Sequence, residues 1–115
     1  MGRDNRIGFA PTPDELAEKI TPKTKLIYLN FPSNPTGAVA TCKQLEEYAD
    51  VILEHCQTDI RVYSDEIYEN IIFDGKKHHS ISSIKEITSK TIIASGFSKT
   101  FAWTGGRIGY AVFPT

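Results

Sequence analysis

Residues 25–65, KLIYLNFPSNPTGAVATCKQLEEYADVILEHCQTDIRVYSD, decide the fold. Lys25-Leu26-Ile27-Tyr28-Leu29-Asn30 is a nearly continuous apolar run, which suits a strand buried on both faces. Ile60-Arg61-Val62-Tyr63-Ser64-Asp65 reads as a second strand. Between them apolar residues stand at 45, 48, 49, 52, 53 and 56, a stripe of period 3.6 that predicts a helix. Thr41 and Gln44 make its capping box, and it should end near Gln57-Thr58. Strand, helix and strand at this spacing form a βαβ unit. The two strands should then run parallel, joined by a right-handed crossover. The predicted class is α/β, with a mostly parallel sheet flanked by helices.

The flanking sequence extends this unit. Residues 1–10 are polar and irregular. Thr12-Pro13-Asp14-Glu15 starts a short helix, with a capping Thr12, a proline at the first helical position and Glu15 completing the box. Leu16, Ala17 and Ile20 form its apolar face, and Pro22 stops it. Downstream, Ile67, Tyr68, Ile71, Ile72 and Phe73 make an irregular apolar patch before the turn Asp74-Gly75. Residues 80–87 read as a short helix, Thr91–Gly96 as a third strand and Ile108–Phe113 as a fourth, after the break at Gly105-Gly106. There is no repeat, linker or low-complexity segment.

At 115 residues with 40% hydrophobic content, the chain can build one real core but is too short for a two-domain enzyme. A net charge of −1 gives no reason to expect nucleic acid or an anionic membrane as partner. No apolar run approaches a membrane span, and MGRDNR has no apolar core for a secretory signal, so the expected location is the cytoplasm. Cys42 and Cys56 fall on one predicted helix, roughly 21 Å apart in rise, whereas a disulfide needs Cα atoms within about 7 Å. They read as reduced thiols. Cys and His are too few at useful spacing for zinc, so no metal is expected. His78-His79 reads as a pair of solvated loop residues.

Three segments end in residues able to do chemistry, and in parallel sheets ligands bind beyond the carboxyl ends of the strands. The first end, Asn30-Phe31-Pro32-Ser33-Asn34-Pro35-Thr36-Gly37, is stiffened by two prolines. It either holds the Asn34 amide as a fixed donor or is an ordinary turn before a helix. The second end, Tyr63-Ser64-Asp65-Glu66-Ile67-Tyr68, puts Asp65 where burial should be high, so its carboxylate needs a partner. A protonated ring nitrogen of a cofactor, a helix amino terminus or a buried water would serve. Tyr68 brings a hydroxyl to the same space.

The third end is Ser95-Gly96-Phe97-Ser98-Lys99-Thr100, with Thr104-Gly105-Gly106-Arg107 close behind. An amine held there, partly shielded from water and beside another cation, can lose its proton and attack carbonyls. A lone lysine is otherwise a surface residue. Arg107 offers a planar fork for a phosphate, and the glycines serve either a close approach or a hairpin. Amine, carboxylate, amide, phenol and guanidinium together suit an aldehyde cofactor with a ring nitrogen, a ring hydroxyl and a phosphate.

The stretches LNFPSNPTG, VYSDEIYE and SGFSKTFAWTGGRIGY, in this order and spacing, resemble the fold-type I aminotransferases. These form the aspartate aminotransferase superfamily, which uses pyridoxal 5′-phosphate (PLP). The resemblance runs from about Phe9 to Thr115. It implies the central part of that family's large domain and, in the intact parent, transfer of an amino group between an amino acid and a 2-oxo acid; this chain, a truncated cofactor-binding core, is expected to be inactive alone. Lys99 would bond covalently to PLP and later shuttle the substrate's Cα proton. Asp65 would hold the pyridine nitrogen protonated, keeping the ring an electron sink. Asn34 and Tyr68 would hydrogen-bond the ring's 3′-oxygen. Arg107 would bind the phosphate, with Ser98 a further candidate there.

Two positions depart from the family pattern. Some relatives carry a phosphate-binding serine where Gly96 stands, and many have TGWR where this chain has Gly106 before Arg107. The resemblance also implies parts not expected in these 115 residues: an earlier helix whose amino terminus binds the phosphate, and a later small domain whose arginine takes the substrate carboxylate. Family sites lie between two subunits, so a homodimer is implied. Other members are lyases or synthases, such as aminocyclopropane-carboxylate synthases. A non-catalytic fragment that self-associates is a second reading. A nucleotide-binding module is a third, against which stands the lack of G-x-G-x-x-G and G-x-x-x-x-G-K-[ST].

Overall fold

Both capping boxes form, and each starts a helix where side-chain chemistry dictates. The structure is a computed structural model that describes residues 10–55 and 59–115. Helix α1 spans Pro13–Lys19; the Glu15 N–H donates to Thr12 Oγ1 at 3.2 Å, and Glu15 Oε2 accepts from the Thr12 N–H at 2.8 Å. Helix α2 spans Cys42–His55, with the reciprocal pair of Thr41 and Gln44 at 3.0 and 3.2 Å. These bonds satisfy amides that a helix start leaves free. The expected end of α2 at 57–58, Cys56 and the reading of residues 1–9 lie outside the described residues.

Strands β1 (Leu26–Asn30), β2 (Arg61–Asp65) and β3 (Thr91–Gly96) are parallel, and β4 (Gly109–Val112) pairs antiparallel with β3 in the order β1-β2-β3-β4. The register sets Asn30 opposite Asp65 and Asp65 opposite Ala94. One face packs on α2: Ile27, Leu29 and Val62 meet Leu45, Tyr48, Ala49 and Ile52, with Ile60, Ile81 and Ile87 closing the cluster. The buried Tyr48 donates its hydroxyl to the Pro11 carbonyl, fixing the segment before α1. Burial, then the charges of Glu15 and Glu47, push that phenol up to about 12. The predicted helix at 80–87 is instead a 3₁₀ turn, Ile81–Ser83, followed by α3 at Lys85–Thr88. A one-turn α4, Phe97–Thr100, follows β3, and a second 3₁₀ turn, Thr104–Gly106, precedes β4.

Two expectations need correction. The sheet is buried on one face only: β1 alternates, with Ile27 and Leu29 buried but Leu26 and Tyr28 exposed. No described helix covers the second face, so a continuous apolar run is half wet. Leu53, counted in the helix stripe, is 37% exposed, whereas Ile52 is fully buried. Among the described residues no helix is long and apolar enough to cross a membrane.

Ile52→Ala should therefore cost about 2–5 kcal/mol, the loss for a buried branched side chain whose cavity cannot collapse. Leu53→Ala should cost about 0.5 kcal/mol or less. Urea unfolding monitored by circular dichroism checks both; equal losses would mean that α2 packs in another rotation.

Candidate active site

The parallel register sets the site, because it brings the ends of β1 and β2 level. Asn30 donates Nδ2 to the Asp65 carbonyl at 3.3 Å and accepts at Oδ1 from the Asn34 N–H at 3.0 Å. One side chain thus ties the end of β2 to the proline-bearing loop. The loop is closed by the Ser33 N–H to the Ala38 carbonyl at 2.9 Å and the Gly37 N–H to the Ser33 carbonyl at 2.8 Å. Asn34 then donates Nδ2 to the Tyr68 hydroxyl at 3.1 Å, and Lys99 Nζ stands 5.7 Å from the centroid of the Tyr68 ring. Amide, phenol and amine from three segments converge on one residue.

Asp65 is joined to this set through Asn30. Its Oδ1 accepts from the Ile67 N–H at 3.2 Å and its Oδ2 from the Tyr28 hydroxyl at 2.7 Å. The hydrogen bond to Asp65, then burial and the Asp65 charge, push the Tyr28 phenol up to about 12. It therefore remains a donor throughout the neutral range. Asp65 is only half-buried and Lys99 is exposed, contrary to the shielding expected of both. The cause is the uncovered sheet face above them.

Ser98 and Arg107 are not brought into hydrogen-bond contact with Asn34, Tyr68 or Asp65. Ser98 is half-buried beside Lys99 in α4. Arg107 adopts a left-handed backbone, φ 48°, and donates Nη1 to the Thr104 carbonyl of its own turn at 3.4 Å. The donor set fits the ring of a pyridine aldehyde: two donors for a ring oxygen, an acceptor for a ring nitrogen and an amine for the carbonyl. For a phosphate, Arg107 is the cationic donor of the set, with Nη1 on the Thr104 carbonyl and further guanidinium N–H groups beside it.

Both departures at glycine have steric reasons. A Cβ on Gly96 would lie 3.0 Å from the Ile108 carbonyl oxygen and 3.1 Å from Ile67 Cδ1, so a serine would force the β3–β4 pair to shift. A Cβ on Gly106 would lie 2.5 Å from the Trp103 ring, so that indole already fills the space a side chain at 106 would need.

The sequence reading missed Glu66, which is buried with 4% exposure. Its Oε1 accepts from Ser64 at 2.8 Å and Ser80 at 2.6 Å, and its Oε2 lies 2.7 Å from His78 Nε2. His78 is thus half-buried against a carboxylate, not solvated. Burial pushes the Glu66 carboxyl up, but the bonds from His78, Ser80 and Ser64 outweigh it and hold the group below the usual range. Glu69 lies close enough for its carboxylate, with Glu66 and His78, to bring three potential ligand atoms within 4.8 Å. Ser95 and Tyr110 donate to Glu69 at 3.3 and 3.4 Å. The two glutamates bracket Tyr68 and pin the turn that presents it.

The family model for aminotransferase class I and II matches residues 4–115. The chain is 48% identical over 106 residues to an aromatic-amino-acid aminotransferase from Thermococcus litoralis, covering 92% of this chain and 26% of that protein. It is 49% identical over 102 residues to an aspartate aminotransferase from Pyrococcus abyssi, covering 89% and 25%. Among solved structures, the aromatic aminotransferase from Pyrococcus horikoshii OT3 superposes with a TM-score of 0.85 at 48% identity, covering 92% of this chain and 28% of that one. The chain thus spans about a quarter of the length of the curated relatives it matches.

A carboxyl whose folded pKa lies below its unfolded one contributes stability above the unfolded value and loses it as pH falls through the folded value. For Glu66 the ordinary value is 4.5 and the folded one lower, so its contribution should vanish in the acid range below 4.5. Glu66→Gln should cost about 1–3 kcal/mol at neutral pH and flatten that acid limb. Urea midpoints measured between neutral pH and acid check this; an unchanged acid limb would remove Glu66 as its source.

Proposed function

The chain belongs to the class I and II aminotransferases, and from that premise we propose that the whole protein moves an amino group between an amino acid and a 2-oxo acid. In this reading the chain supplies the central part of the large, cofactor-binding domain. The observation that carries it is the convergence of Asn34, Tyr68 and Lys99, with Asp65 tied in through Asn30.

Members of this family use pyridoxal 5′-phosphate. When bound, that group supplies an aldehyde for amine capture and a cationic ring that withdraws electrons from the substrate's Cα. Tyr68 accepts from Asn34 and so keeps its own proton for a ligand oxygen. Asn34 Nδ2 has a second proton to give the same atom. The Asp65 oxygens each accept one bond, leaving lone pairs for a protonated ring nitrogen. Lys99 Nζ would hold the group through its aldehyde, with loss of water, and as a free amine would take up and return the proton at the substrate's Cα. Arg107 would hold the phosphate through a charge-assisted fork, and Ser98 would add a hydroxyl.

The reading extends to a homodimer in the cytoplasm. Leu26, Phe73, Phe101, Trp103 and Phe113 are large, apolar and exposed, which suits burial against further parts of the whole protein, another subunit among them. Cys42 is a free, exposed thiol, the state a reducing compartment maintains.

Mixing the chain with PLP should give a shifted visible band, and borohydride reduction should fix the label on Lys99. Lys99→Ala should lose the reducible adduct while retaining non-covalent affinity. Asp65→Ala should weaken PLP binding by about 10- to 100-fold, the worth of a hydrogen bond to a charged group. Peptide mapping and absorbance titration check these. A label scattered over surface lysines, or unchanged on Lys99→Ala, would sink the assignment.

A further inference from the structure

Tyr28 lies on the uncovered face of β1, 58% exposed, and adds little to the core. Its ring stacks on Tyr63, its partner across the parallel pair, with centroids 5.6 Å apart and planes 16° from parallel. That stack aims the hydroxyl along β2 toward Asp65, two residues beyond Tyr63, where it donates to Oδ2 at 2.7 Å. The other oxygen, Oδ1, takes the Ile67 N–H at 3.2 Å. A carboxylate at a strand end otherwise turns freely about its last torsion, whose distribution is broad. One donor on each oxygen fixes its plane.

We propose that Tyr28 is a positioning residue for the amino-transfer site, holding the Asp65 carboxylate in the orientation that receives a cofactor ring nitrogen. The proposal rests on the reading of Asp65 given above. Three observations support it. The Tyr28 hydroxyl stays protonated in the neutral range, with its phenol pushed up to about 12, so it offers Asp65 a donor there and no competing charge. Each carboxylate oxygen keeps a lone pair after accepting its bond, so Tyr28 orients Asp65 without filling it. The hydroxyl is also dispensable to the strand, since a phenylalanine would keep the stack on Tyr63.

The test is a double-mutant cycle on the full chain, read as PLP dissociation constants by absorbance. Tyr28→Phe should weaken PLP binding by about 3- to 10-fold, and should have no further effect in an Asp65→Ala background, because the two groups act as one unit. A merely structural tyrosine would give the same loss in both backgrounds. A second measurement uses the chain without PLP. At about pH 11 a phenol of pKa about 12 is about one-tenth ionised, and one of pKa about 10 is about nine-tenths ionised. Asp65→Asn removes the Asp65 charge and its carboxylate hydrogen bond but leaves burial in place, so phenolate absorbance there should rise toward the second value, and should not change when Tyr28 is already phenylalanine.

Unchanged affinity in Tyr28→Phe beside a weakened Asp65→Ala overturns the role of Tyr28 alone. So does phenolate absorbance that ignores Asp65→Asn. A chain that binds no PLP, or an Asp65→Ala variant that binds it unchanged, overturns the reading of the site and with it this role.

Discussion

Everything at the candidate site depends on one register: Asn30 opposite Asp65 in a parallel pair of strands. Parallel pairing puts the carboxyl ends of β1, β2 and β3 at one edge of the sheet, where the loops that follow them can meet. The Asn30 side chain locks that edge, donating to the Asp65 backbone and accepting from Asn34. A slip of one residue would turn Asp65 to the other face of the sheet and break the bond from Asn30 to the Asp65 carbonyl. The αβ crossover fixes the register from below, because Ile27, Leu29 and Val62 must all face α2 at once.

The second constraint is a buried charge. Glu66 follows the last residue of β2 and points into the covered side, where three donors compensate its desolvation. Breaking such a group's bonds costs more than making them gains, so the turn carrying Tyr68 is held by the penalty for moving it. Tyr68 is the meeting point of Asn34 and Lys99. The arrangement therefore puts its rigidity beneath the sheet and its reactive groups above it, on the open face.

What the sequence made legible was local or periodic. The two capping boxes are contacts of three residues' separation, and the helix stripe and apolar strands repeat at the periods of their elements, so the βαβ unit followed. The grouping of Asn34, Tyr68 and Lys99 was legible because motif and strand end coincide. The open face was not, since Leu26 and Tyr28 read alike whether one side or both are covered. His78 with Glu66 was missed because the pair spans an irregular segment with no period. One signal was available: Val62, Ser64 and Glu66 alternate toward the covered face. The Tyr28–Asp65 bond spans 37 residues and needs the register itself. The turn of Arg107 onto Thr104 follows from a left-handed backbone that a non-glycine residue does not advertise.

We propose that three strand ends form one ligand-binding surface centred on Tyr68. The most direct measurement is a residue-resolved nuclear magnetic resonance titration of the labelled chain with PLP. The Asn34 side-chain amide and the backbone amides of 65–68 and 96–100 should shift together along one saturating curve. A single surface would be contradicted if those signals stayed still while the exposed Lys23, Lys43, Lys76 and Lys85 responded independently.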